Sequence, residues 1–500
     1  MHRIAHHQPH PLFNTAATRR IEHAAAAALP PHTLMQRAGL AVARLALALA
    51  PHAHTVWIAC GPGNNGGDGL EAAMHLRRAG RDVAITWLGE PGRAPADALA
   101  SWQRAQAAGV RWSDGAPGNL TASDLCIDAL LGIGATPRPP DDRLRACLHA
   151  LRRGPAPVLA VDLPTGLDAD TGQYAEGFAP GPEPQPAPAR HTLTLLTLKP
   201  GLFTAAGRDA AGTVWWDGLG VEASPLVPPT AWLSGPAPAA PRAHASHKGS
   251  YGDVAVVGGE GLAERGMGMG GAALLAASAA LHGGAGRVLV ALLDGGHLQL
   301  DAQQPELMLR RFEALALPQL TVVCGCGGGE AVGRVLADVI TQAARLVLDA
   351  DALNAIAHSA ALHALVVARG QHGQPTVLTP HPLEAARLLG LTAAEVQADR
   401  LGAAQQLARQ FNCVAVLKGS GTVIAAPDRV PAINPTGNAR LATAGTGDVL
   451  AGLVGARLAT GASALHAANG AVYAHGLAAD DWPEGQALTA SALARRLAPA

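Results

Sequence analysis

The feature that most constrains the fold is a repeated succession of short apolar runs that end in glycine-rich loops. Residues 55–60 form one such run, TVWIAC, which leads into the loop GPGNNGGDG at 61–69 and then into a helical pattern. Similar runs of strand length alternate with helical patterns in both halves of the chain. This alternation predicts parallel sheets covered by helices on both faces. A glycine loop between strand and helix is typical of a phosphate site in such sheets.

The loop at 61–69 is not the usual dinucleotide fingerprint, because two asparagines and Asp68 lie within it. Their oxygen atoms would allow the loop to hold a polar ligand and also to bind a cation. A structural turn with asparagine in left-handed conformations is the alternative. Asp128 and Asp162 come near the ends of two later strand-like runs. Because parallel strands end at one edge of a sheet, we expect these carboxylates to converge there.

A second glycine turn, Gly445-Thr-Gly447, precedes Asp448 and an apolar helix that begins with Val449. The free N–H groups and the dipole of such a helix start form an anion site. A carboxylate repels an anion, so Asp448 suits a base that takes a proton from a hydroxyl attacking a phosphoryl group. The alternative is that Asp448 only caps the helix.

Lysine occurs only at 199, 248 and 418 although arginine is common, which indicates that an ammonium group is needed at these positions. Lys418 begins the loop KGSGT, which is similar to a phosphate cradle but lacks the spacing of a P-loop. His381 follows another strand-like run and is either a buried structural histidine or a ligand contact. The motifs of the second half together indicate phosphoryl transfer from a nucleotide.

The formal net charge is −1, so neither nucleic acid nor an anionic membrane surface is an expected partner. The six cysteines show no disulfide framework, which favours a reducing compartment, and a cytoplasmic location is expected. Cys324 and Cys326 lack a matching second pair, so a zinc site is not predicted from them. The N-terminus lacks the apolar stretch of a signal peptide, and no apolar run has the length of a membrane span.

Proline-rich stretches divide the chain. Residues 179–189 are expected to form an extended surface loop, and residues 224–241 a linker between domains at 1–223 and 242–500.

These motifs resemble the family of bifunctional NAD(P)H-hydrate repair enzymes over nearly the whole chain. The first half is similar to the NAD(P)HX epimerase domain through GPGNNGGDG (61–69), GIGATPR (132–138) and VDLPTGLDADTG (161–172). The second half is similar to the ADP/ATP-dependent dehydratase domain. Its matching stretches are HKGSYGDVAVVGG, VLDADALN, LTPHPLEAARLLG, LKGSGTVIAAPD and NPTGNARLATAGTGDVLAG. The resemblance implies an α/β fold of two three-layer αβα domains, the first Rossmann-like and the second ribokinase-like.

For the first domain, the resemblance implies interconversion of the R and S epimers of hydrated NAD(P)H. Asp162 would transfer a proton, with Lys199 as a weaker candidate. Potassium would be bound by Asn65, Asp128 and Thr165. The substrate would be lined by Asn64, Asn65, Gly66, Gly67, Asp68, Gly132, Ile133, Gly134, Ala135, Thr136, Pro137, Arg138 and Asp162.

For the second domain, the resemblance implies phosphorylation of the C6 hydroxyl of the S epimer, followed by loss of phosphate to regenerate NAD(P)H. Asp448 would be the base on that hydroxyl, and Mg²⁺ would accompany the nucleotide, with ADP favoured over ATP. A homo-oligomer is expected. The hydrate would contact Ala272, Gly329, His381 and Asp448. The nucleotide would contact Lys418, Gly419, Ser420, Gly421, Thr422 and Gly447.

The chain departs from the family pattern at three places, one of which is the proline-rich insertion at 179–189. GCGGG at 325–329 stands where the family usually has GPGLG, and Arg440 and Leu441 stand where a small residue and methionine are common. Two alternatives remain at this point. The second domain could be a kinase of a small alcohol that keeps its phosphoester, and the first half could be a non-catalytic binding module.

Overall fold

The structure is a computed structural model that describes residues 1–134, 138–181, 189–223, 225, 227–237 and 244–499. The chain divides into two compact units. The first contains Met1–Ala5 and His10–Ala231, and the second contains His6–Pro9 and Trp232–Ala500.

The first unit is built on a sheet of parallel strands with one antiparallel edge strand, β1. In the described residues the order is β1-β9-β8-β7-β6-β3-β4-β5. The strands of this unit are β1 (His2–Arg3), β2 (His10–Leu12), β3 (Thr55–Cys60), β4 (Asp82–Trp87), β5 (Arg111–Trp112), β6 (Leu125–Ala129), β7 (Val158–Val161), β8 (Arg190–Leu195) and β9 (Thr213–Asp217). Its helices are α1 (Thr15–Ala28), α2 (Thr33–Leu49), α3 (Asn64–Arg78), α4 (Ala96–Ala107), α5 (Asp142–Arg153) and α6 (Gly207–Ala211).

Helices cover both faces of this sheet. Alternate residues of β3 point to opposite faces. Val56 and Ile58 pack in one apolar cluster with residues of α1, α2 and α3, whereas Trp57 and Ala59 pack in another with residues of α5. Burial on both faces explains why the strands are apolar runs without polar alternation.

The second unit contains a larger parallel sheet that ends in a short antiparallel section. The strand order is β13-β12-β11-β14-β15-β16-β17-β18-β19-β10, and β18 is antiparallel to both of its neighbours. These strands are β10 (Ala231–Leu233), β11 (Asp253–Gly258), β12 (Arg287–Leu292), β13 (Met308–Leu309), β14 (Thr321–Cys324), β15 (Arg345–Leu348), β16 (Thr376–Leu378), β17 (Val414–Leu417), β18 (Val423–Ala425) and β19 (Ala432–Ile433).

The helices of the second unit also cover both faces of its sheet. These helices are α7 (Leu262–Arg265), α8 (Gly270–His282), α9 (Leu336–Gln342), α10 (Ala350–Ala357), α11 (Ala360–Gln371), α12 (Pro382–Leu389), α13 (Ala393–Ala398), α14 (Arg400–Phe411), α15 (Thr446–Ala459), α16 (Ala464–Asp480) and α17 (Ala490–Arg496). Val254 and Val256 of β11 pack on the side of α8, α15, α16 and α17, and Ala255 and Val257 pack on the side of α9 to α14. The expected three-layer α/β class is therefore confirmed for both units.

Part of the proline-rich stretch at 224–241 has regular structure. β10 lies within it, and Trp232 and Leu233 pair in parallel with Ala432 and Ile433 of β19. Leu233 is fully buried, so this short apolar run adds a strand to the second sheet.

Among the described residues, no single helix combines the length and apolar character needed to cross a membrane. The pair α10 and α11, which is bent by 111°, meets that test only when the two helices are taken together.

Candidate active sites

The first unit contains a cavity of about 570 Å³ at the carboxyl ends of its central strands. Seven of the predicted substrate residues line it: Asn64, Asn65, Asp68, Gly132, Ile133, Gly134 and Asp162. Gly66 and Gly67 lie behind this surface in the first turn of α3, and Arg138 is exposed outside the described lining. Predictions for Ala135, Thr136 and Pro137 fall outside the described residues.

The glycine-rich stretch at 61–69 is helical from Asn64 onward. α3 begins at Asn64, so only Gly61 to Gly63 form the loop. Glycine is needed inside this helix because a Cβ atom at Gly66 would lie 1.9 Å from the carbonyl oxygen of Gly61. The close approach packs the start of α3 against the end of β3 and leaves both asparagines on the cavity wall.

Asp162 and Lys199 form a buried ion pair on the cavity wall. The Nζ atom of Lys199 lies 2.5 Å from Oδ1 of Asp162 and also donates to Oγ1 of Thr194 and to the carbonyl oxygen of Leu195. Lys199 is completely buried. Asp162 has a φ of +67°, an uncommon conformation for a residue other than glycine, and it follows directly after β7. Strain of this kind is concentrated at functional sites.

Three further acids line the same cavity: Glu22, Asp68 and Asp97. Burial raises the pKa of Asp68 well above its ordinary value, and the charge of Asp162 raises it further. Burial also raises the pKa of Glu22, and Asp162 again adds to the rise. The cavity therefore holds one lysine-paired carboxyl, Asp162, beside two carboxyls whose pKa is raised. Glu22 and Arg19, on α1, were missed by the sequence reasoning because their helix has no glycine motif.

Asp128 and Thr165 are joined directly. Thr165 donates its hydroxyl to Oδ1 of Asp128 and its backbone N–H to Oδ2, at 2.5 and 3.0 Å. Burial raises the pKa of Asp128, and these hydrogen bonds oppose the rise. The hydroxyl of Thr165 also accepts from the N–H of Leu131, which fixes the loop that continues into Gly132.

Asn65 provides the third group of the predicted potassium site. Its Nδ2 atom is buried without a hydrogen-bond partner among the described residues. Oδ1 of Asn65 lies against Gly132, where a Cβ atom would come within 2.9 Å of it. A half-turn of the Asn65 side-chain amide exchanges its nitrogen and oxygen atoms, so the buried position of Nδ2 also fits an oxygen ligand. The set of carboxylate, hydroxyl and amide oxygens therefore fits a hard cation such as potassium.

The second candidate site surrounds the start of α15. Gly445 is the N-cap residue with φ of +88°, and a Cβ atom there would lie 2.6 Å from Cδ1 of Leu275. Both observations explain why only glycine suits this position. The hydroxyl of Thr446 donates to the carbonyl oxygens of Leu441 and Thr443, which holds the preceding turn against the helix. Asp448 lies in the first turn of α15.

Asp448 is partly buried beside two other acidic groups. Its carboxyl lies close to the Asp349 carboxyl and the Cys326 thiol, and ligand atoms of these three residues all lie within 4.8 Å of one another. Burial raises the pKa of Asp448 to about 7, and the charge of Asp349 adds to the rise. A carboxyl of this pKa is well matched to proton abstraction at neutral pH.

Lys418 links the remaining motifs of the second unit to this cluster. Its Nζ atom lies 2.6 Å from Oδ1 of Asp349, which also accepts the hydroxyl of Thr379 at 2.8 Å. A Cβ atom at Gly447 would lie 3.5 Å from Nζ of Lys418, so the lysine faces the glycine turn. Four sequence motifs therefore meet at the carboxyl edge of β14 to β17.

Arg400 supports the loop from Lys418 to Thr422 through hydrogen bonds from the protein interior. This arginine is 1% exposed and donates to the carbonyl oxygens of Leu417, Lys418 and Gly421. Burial lowers its pKa to about 10. Gly419 and Gly421 have φ of +130° and +63°, while Ser420 is exposed at the tip and the hydroxyl of Thr422 donates to the carbonyl oxygen of Gly419.

The three remaining predicted contacts of this site lie on separate elements. Gly329 has φ of +54° and donates its N–H to Asp351, and Ala272 lies in α8 beside the Gly327 backbone. His381 caps α12, because its Nδ1 atom accepts from the N–H groups of Leu383 and Glu384. Its ring remains about half exposed, so the histidine is a helix cap with an outward face. Burial raises the pKa of the neighbouring Glu384 to about 7.

Two family models match the chain in succession. YjeF-related protein N-terminus matches residues 31–201, and NAD(P)H-hydrate dehydratase matches residues 256–499. Solved structures similar to about half of the chain include an Enterococcus faecalis ribokinase-like superfamily protein (27% identity, TM-score 0.43, covering 51% of this chain and 89% of that one). Another is the Bacillus subtilis ADP/ATP-dependent NAD(P)H-hydrate dehydratase (31% identity, TM-score 0.40, covering 51% and 90%).

The paired α/β units and the two matched families define an enzyme in which a YjeF-related domain precedes a dehydratase domain. The bifunctional NAD(P)H-hydrate repair enzyme of Escherichia coli is 35% identical over 94% of this chain and 90% of its own length. The ADP-dependent (S)-NAD(P)H-hydrate dehydratase of Neisseria meningitidis is 44% identical over 52% of this chain and 86% of its own length. The chain belongs to the family of bifunctional NAD(P)H-hydrate repair enzymes, which confirms the resemblance and the enzyme class.

Proposed function

We propose that the chain repairs hydrated nicotinamide dinucleotides at two separate sites. The epimerase domain comprises residues 1–223, residues 224–241 connect the domains, and the dehydratase domain comprises residues 242–500. The observation that carries the proposal is Asp448, a partly buried carboxyl of pKa about 7 at a glycine-turn helix start, with Lys418 beside it. A base, an anion-binding turn and a fixed cation are the parts that phosphoryl transfer needs.

In the dehydratase site, the Asp448 carboxylate takes the proton from the C6 hydroxyl of the S epimer as that oxygen attacks the terminal phosphoryl group of the nucleotide. The N–H groups around Gly445 and Gly447 stabilise the charge on the transferring phosphoryl group. The ring nitrogen then expels the phosphate from C6, and loss of a proton from C5 restores the double bond of NAD(P)H. Without that loss of phosphate the same site would be a kinase.

The ligands divide between the elements that form the dehydratase site. The loop from Lys418 to Thr422 and Gly447 hold the nucleotide, and Ala272, Gly329 and His381 contact the hydrate. The oxygens of Asp349 and Asp448 are of the kind that Mg²⁺ prefers, and the ion, when bound with the nucleotide, neutralises phosphate charge. ADP is the proposed phosphoryl donor, as the name of the Neisseria relative states for that enzyme.

In the epimerase site, Asp162 transfers a proton on the hydrate, and Lys199 orients its side chain through the ion pair. The buried ion pair and the adjoining cavity support this assignment. Potassium, when bound by Asn65, Asp128 and Thr165, supplies positive charge beside the loop that carries Gly132. The chain's small-molecule partners are therefore the hydrates of NADH and NADPH and a nucleotide, and a homo-oligomer is the proposed assembly.

The test is repair of a mixed-epimer preparation of hydrated NADH by the full chain, with Mg²⁺, K⁺ and either ADP or ATP, followed by absorbance of the reduced nicotinamide. Complete recovery on a timescale on which epimers do not interconvert spontaneously supports both sites, and the faster nucleotide identifies the donor. Recovery that stops at the S fraction contradicts the epimerase assignment. No recovery, with a phosphorylated hydrate accumulating, would identify a kinase.

The dehydratase rate is expected to depend on the ionisation of Asp448. Because the base acts when deprotonated, kcat/KM for the hydrate should fall as pH drops below about 7 and level off above it. Glu384, whose pKa is also about 7, is the other carboxyl of the site that titrates in this range. The pH profile of Glu384→Gln identifies the group that causes this fall. If the fall in kcat/KM disappears in the variant, its cause is Glu384 and not Asp448.

Removal of the Lys418 charge is expected to weaken nucleotide use. Lys418→Met deletes the ammonium that faces the glycine turn and leaves the buried Asp349 carboxylate without its cation. We expect kcat/KM for ADP to fall by about 100-fold or more, since removal of one group that stabilises charge in the transition state typically costs about 10²–10³-fold in rate. Lys248→Met is the matched control, because Lys248 is exposed at the opposite end of β11. Equal effects of the two substitutions would contradict the nucleotide assignment.

A further inference from the structure

Cys326 lies in the dehydratase site but has no part in the proposed reaction. Its Sγ atom is fully buried and lies 3.9 Å from Oδ2 of Asp349, and Asp448 completes the group. The three residues come from three different chain segments: the loop after β14, the end of β15 and the start of α15. No zinc site was predicted from Cys324 and Cys326 as a pair, and Cys324 packs in the apolar cluster on the α9 to α14 side.

We propose that Cys326, Asp349 and Asp448 form a binding site for a thiophilic divalent metal ion such as Zn²⁺, and that its occupation inhibits the dehydratase. A thiolate and two carboxylates are the kind of mixed ligand set that accepts Zn²⁺ and leaves a fourth position for water. Mg²⁺ prefers oxygen ligands and would use the two carboxylates alone, so at these shared carboxylates the thiolate favours a thiophilic ion over Mg²⁺.

The separation of the ligand atoms suits one ion. Zinc–sulfur and zinc–oxygen bonds are about 2.3 and 2.0–2.2 Å, so an ion fits between Sγ of Cys326 and Oδ2 of Asp349 at their present distance. Oδ1 of Asp349 is already engaged by Lys418 and Thr379, which turns Oδ2 toward the thiol. Asp448 is only partly buried, so it gives the ion access from the cleft.

The thiol is held in place by its backbone. Gly325 and Gly327 on either side have φ of +116° and +57°, and the Cys326 carbonyl oxygen accepts the N–H of Gly259 at 3.0 Å. The neighbouring Gly327 carbonyl accepts the N–H of Glu260 at 2.7 Å. The loop after β14 is therefore fixed to the end of β11, so the metal meets a prearranged ligand set.

Charge balance also favours a divalent ion. When the metal binds, the Cys326 thiol loses its proton to solvent, and one metal–sulfur bond forms. The resulting thiolate and the two carboxylates carry three negative charges, which Lys418 and one divalent ion neutralise together. Binding engages the Asp448 carboxylate, so the base of the dehydratase is no longer free to accept a proton.

Co²⁺ is the probe for binding, because a Co²⁺–thiolate bond gives a charge-transfer absorption that histidine and carboxylate ligands do not. The full chain should develop this absorption with one equivalent of bound thiolate, and Cys324→Ala, which removes a buried sulfur two residues away, should keep it. Cys326→Ala should lose it. The absence of the band in the unsubstituted chain, or its persistence in Cys326→Ala, overturns the proposal. Binding is measured without substrate, so this result does not depend on the proposed function.

Inhibition is then measured at fixed excess Mg²⁺ with buffered free Zn²⁺, and each variant is compared with its own rate without zinc. Half-inhibition of the unsubstituted chain and of Cys324→Ala should require about tenfold less Zn²⁺, or less still, than that of Cys326→Ala. Equal sensitivity of the three proteins overturns the inhibitory role, because zinc would then act through the nucleotide. The epimerase rate in the same samples should be unaffected below the Zn²⁺ concentration that inhibits Cys326→Ala.

Discussion

Asp448→Asn is expected to lower the rate of ATP- or ADP-dependent dehydration by about 10²–10⁴-fold, the usual contribution of a positioned general base. Asparagine keeps the shape and the helix-start position of the side chain but accepts no proton. The loop from Lys418 to Thr422 is on other elements, and Gly447 keeps its backbone in this variant, so KM for the nucleotide should change much less than kcat. The measurement is steady-state dehydration of the purified S epimer over a range of nucleotide concentrations.

Two controls separate this effect from a loss of folding. Asp338→Asn replaces an exposed carboxyl on α9 of the same unit and should leave the rate unchanged. The epimerase activity of the Asp448→Asn protein should also be retained, since that site belongs to the other unit. A rise in nucleotide KM with an unchanged kcat would mean that Asp448 only arranges the helix start, as a capping residue does.

The glycine turn before Asp448 shows what sequence can predict locally. The requirement for glycine at 445 follows from the need for positive φ at the N-cap and for close packing against Leu275. The position of Asp448 in the first helical turn follows from the turn itself. The positive φ at 445 and the position of Asp448 depend on residues near one another in sequence, so the motif was sufficient to predict them. The packing against Leu275 of α8 comes from a distant part of the chain, and the motif could not predict it.

The surroundings of Asp448 could not be predicted in the same way. Cys324 is in register with Leu348, and Leu348 with Leu378, so Cys326, Asp349 and Thr379 follow neighbouring strands and meet at one edge. This arrangement depends on the order β14-β15-β16, which no local pattern specifies. Arg400 shows the same difficulty. It is buried at the start of α14 and donates hydrogen bonds to a loop about 20 residues later in the chain.

The role of His381 was only partly predictable from the sequence. The sequence left it as either a structural or a ligand-binding histidine, and the structure shows that its Nδ1 side caps α12 while part of the ring stays exposed. The signal for the cap was present in the sequence, because Glu384 at the third helical position completes a capping box. The side chain uses one nitrogen for structure and leaves Nε2 on the outward face beside Glu384.

Substitution of Asp162 is the corresponding experiment on the first unit. Asp162→Asn should lower the epimerase kcat by about 10²-fold or more, because it removes the carboxylate that exchanges the proton. With the dehydratase intact, conversion of a mixed-epimer sample should be rapid up to the S fraction and then continue only at the spontaneous rate. Asp142→Asn, at a fully exposed carboxyl of the same unit, is the matched control and should give complete conversion.

Because Lys199 is buried, the effect of this substitution on stability must be separated from its effect on proton transfer. Lys199 is completely buried, so loss of its partner leaves an uncompensated charge at a cost of about 3–5 kcal/mol of stability. The double variant Asp162→Asn/Lys199→Met removes both charges and should recover much of the lost free energy of unfolding. Because a proton-transfer role needs the carboxylate itself, the double variant should remain inactive as an epimerase even where its stability returns. Recovery of activity together with stability would show instead that Asp162 only compensates the charge of Lys199. Another acid of the cavity would then have to exchange the proton, and Asp68 is one aspartate that the cavity offers for this role.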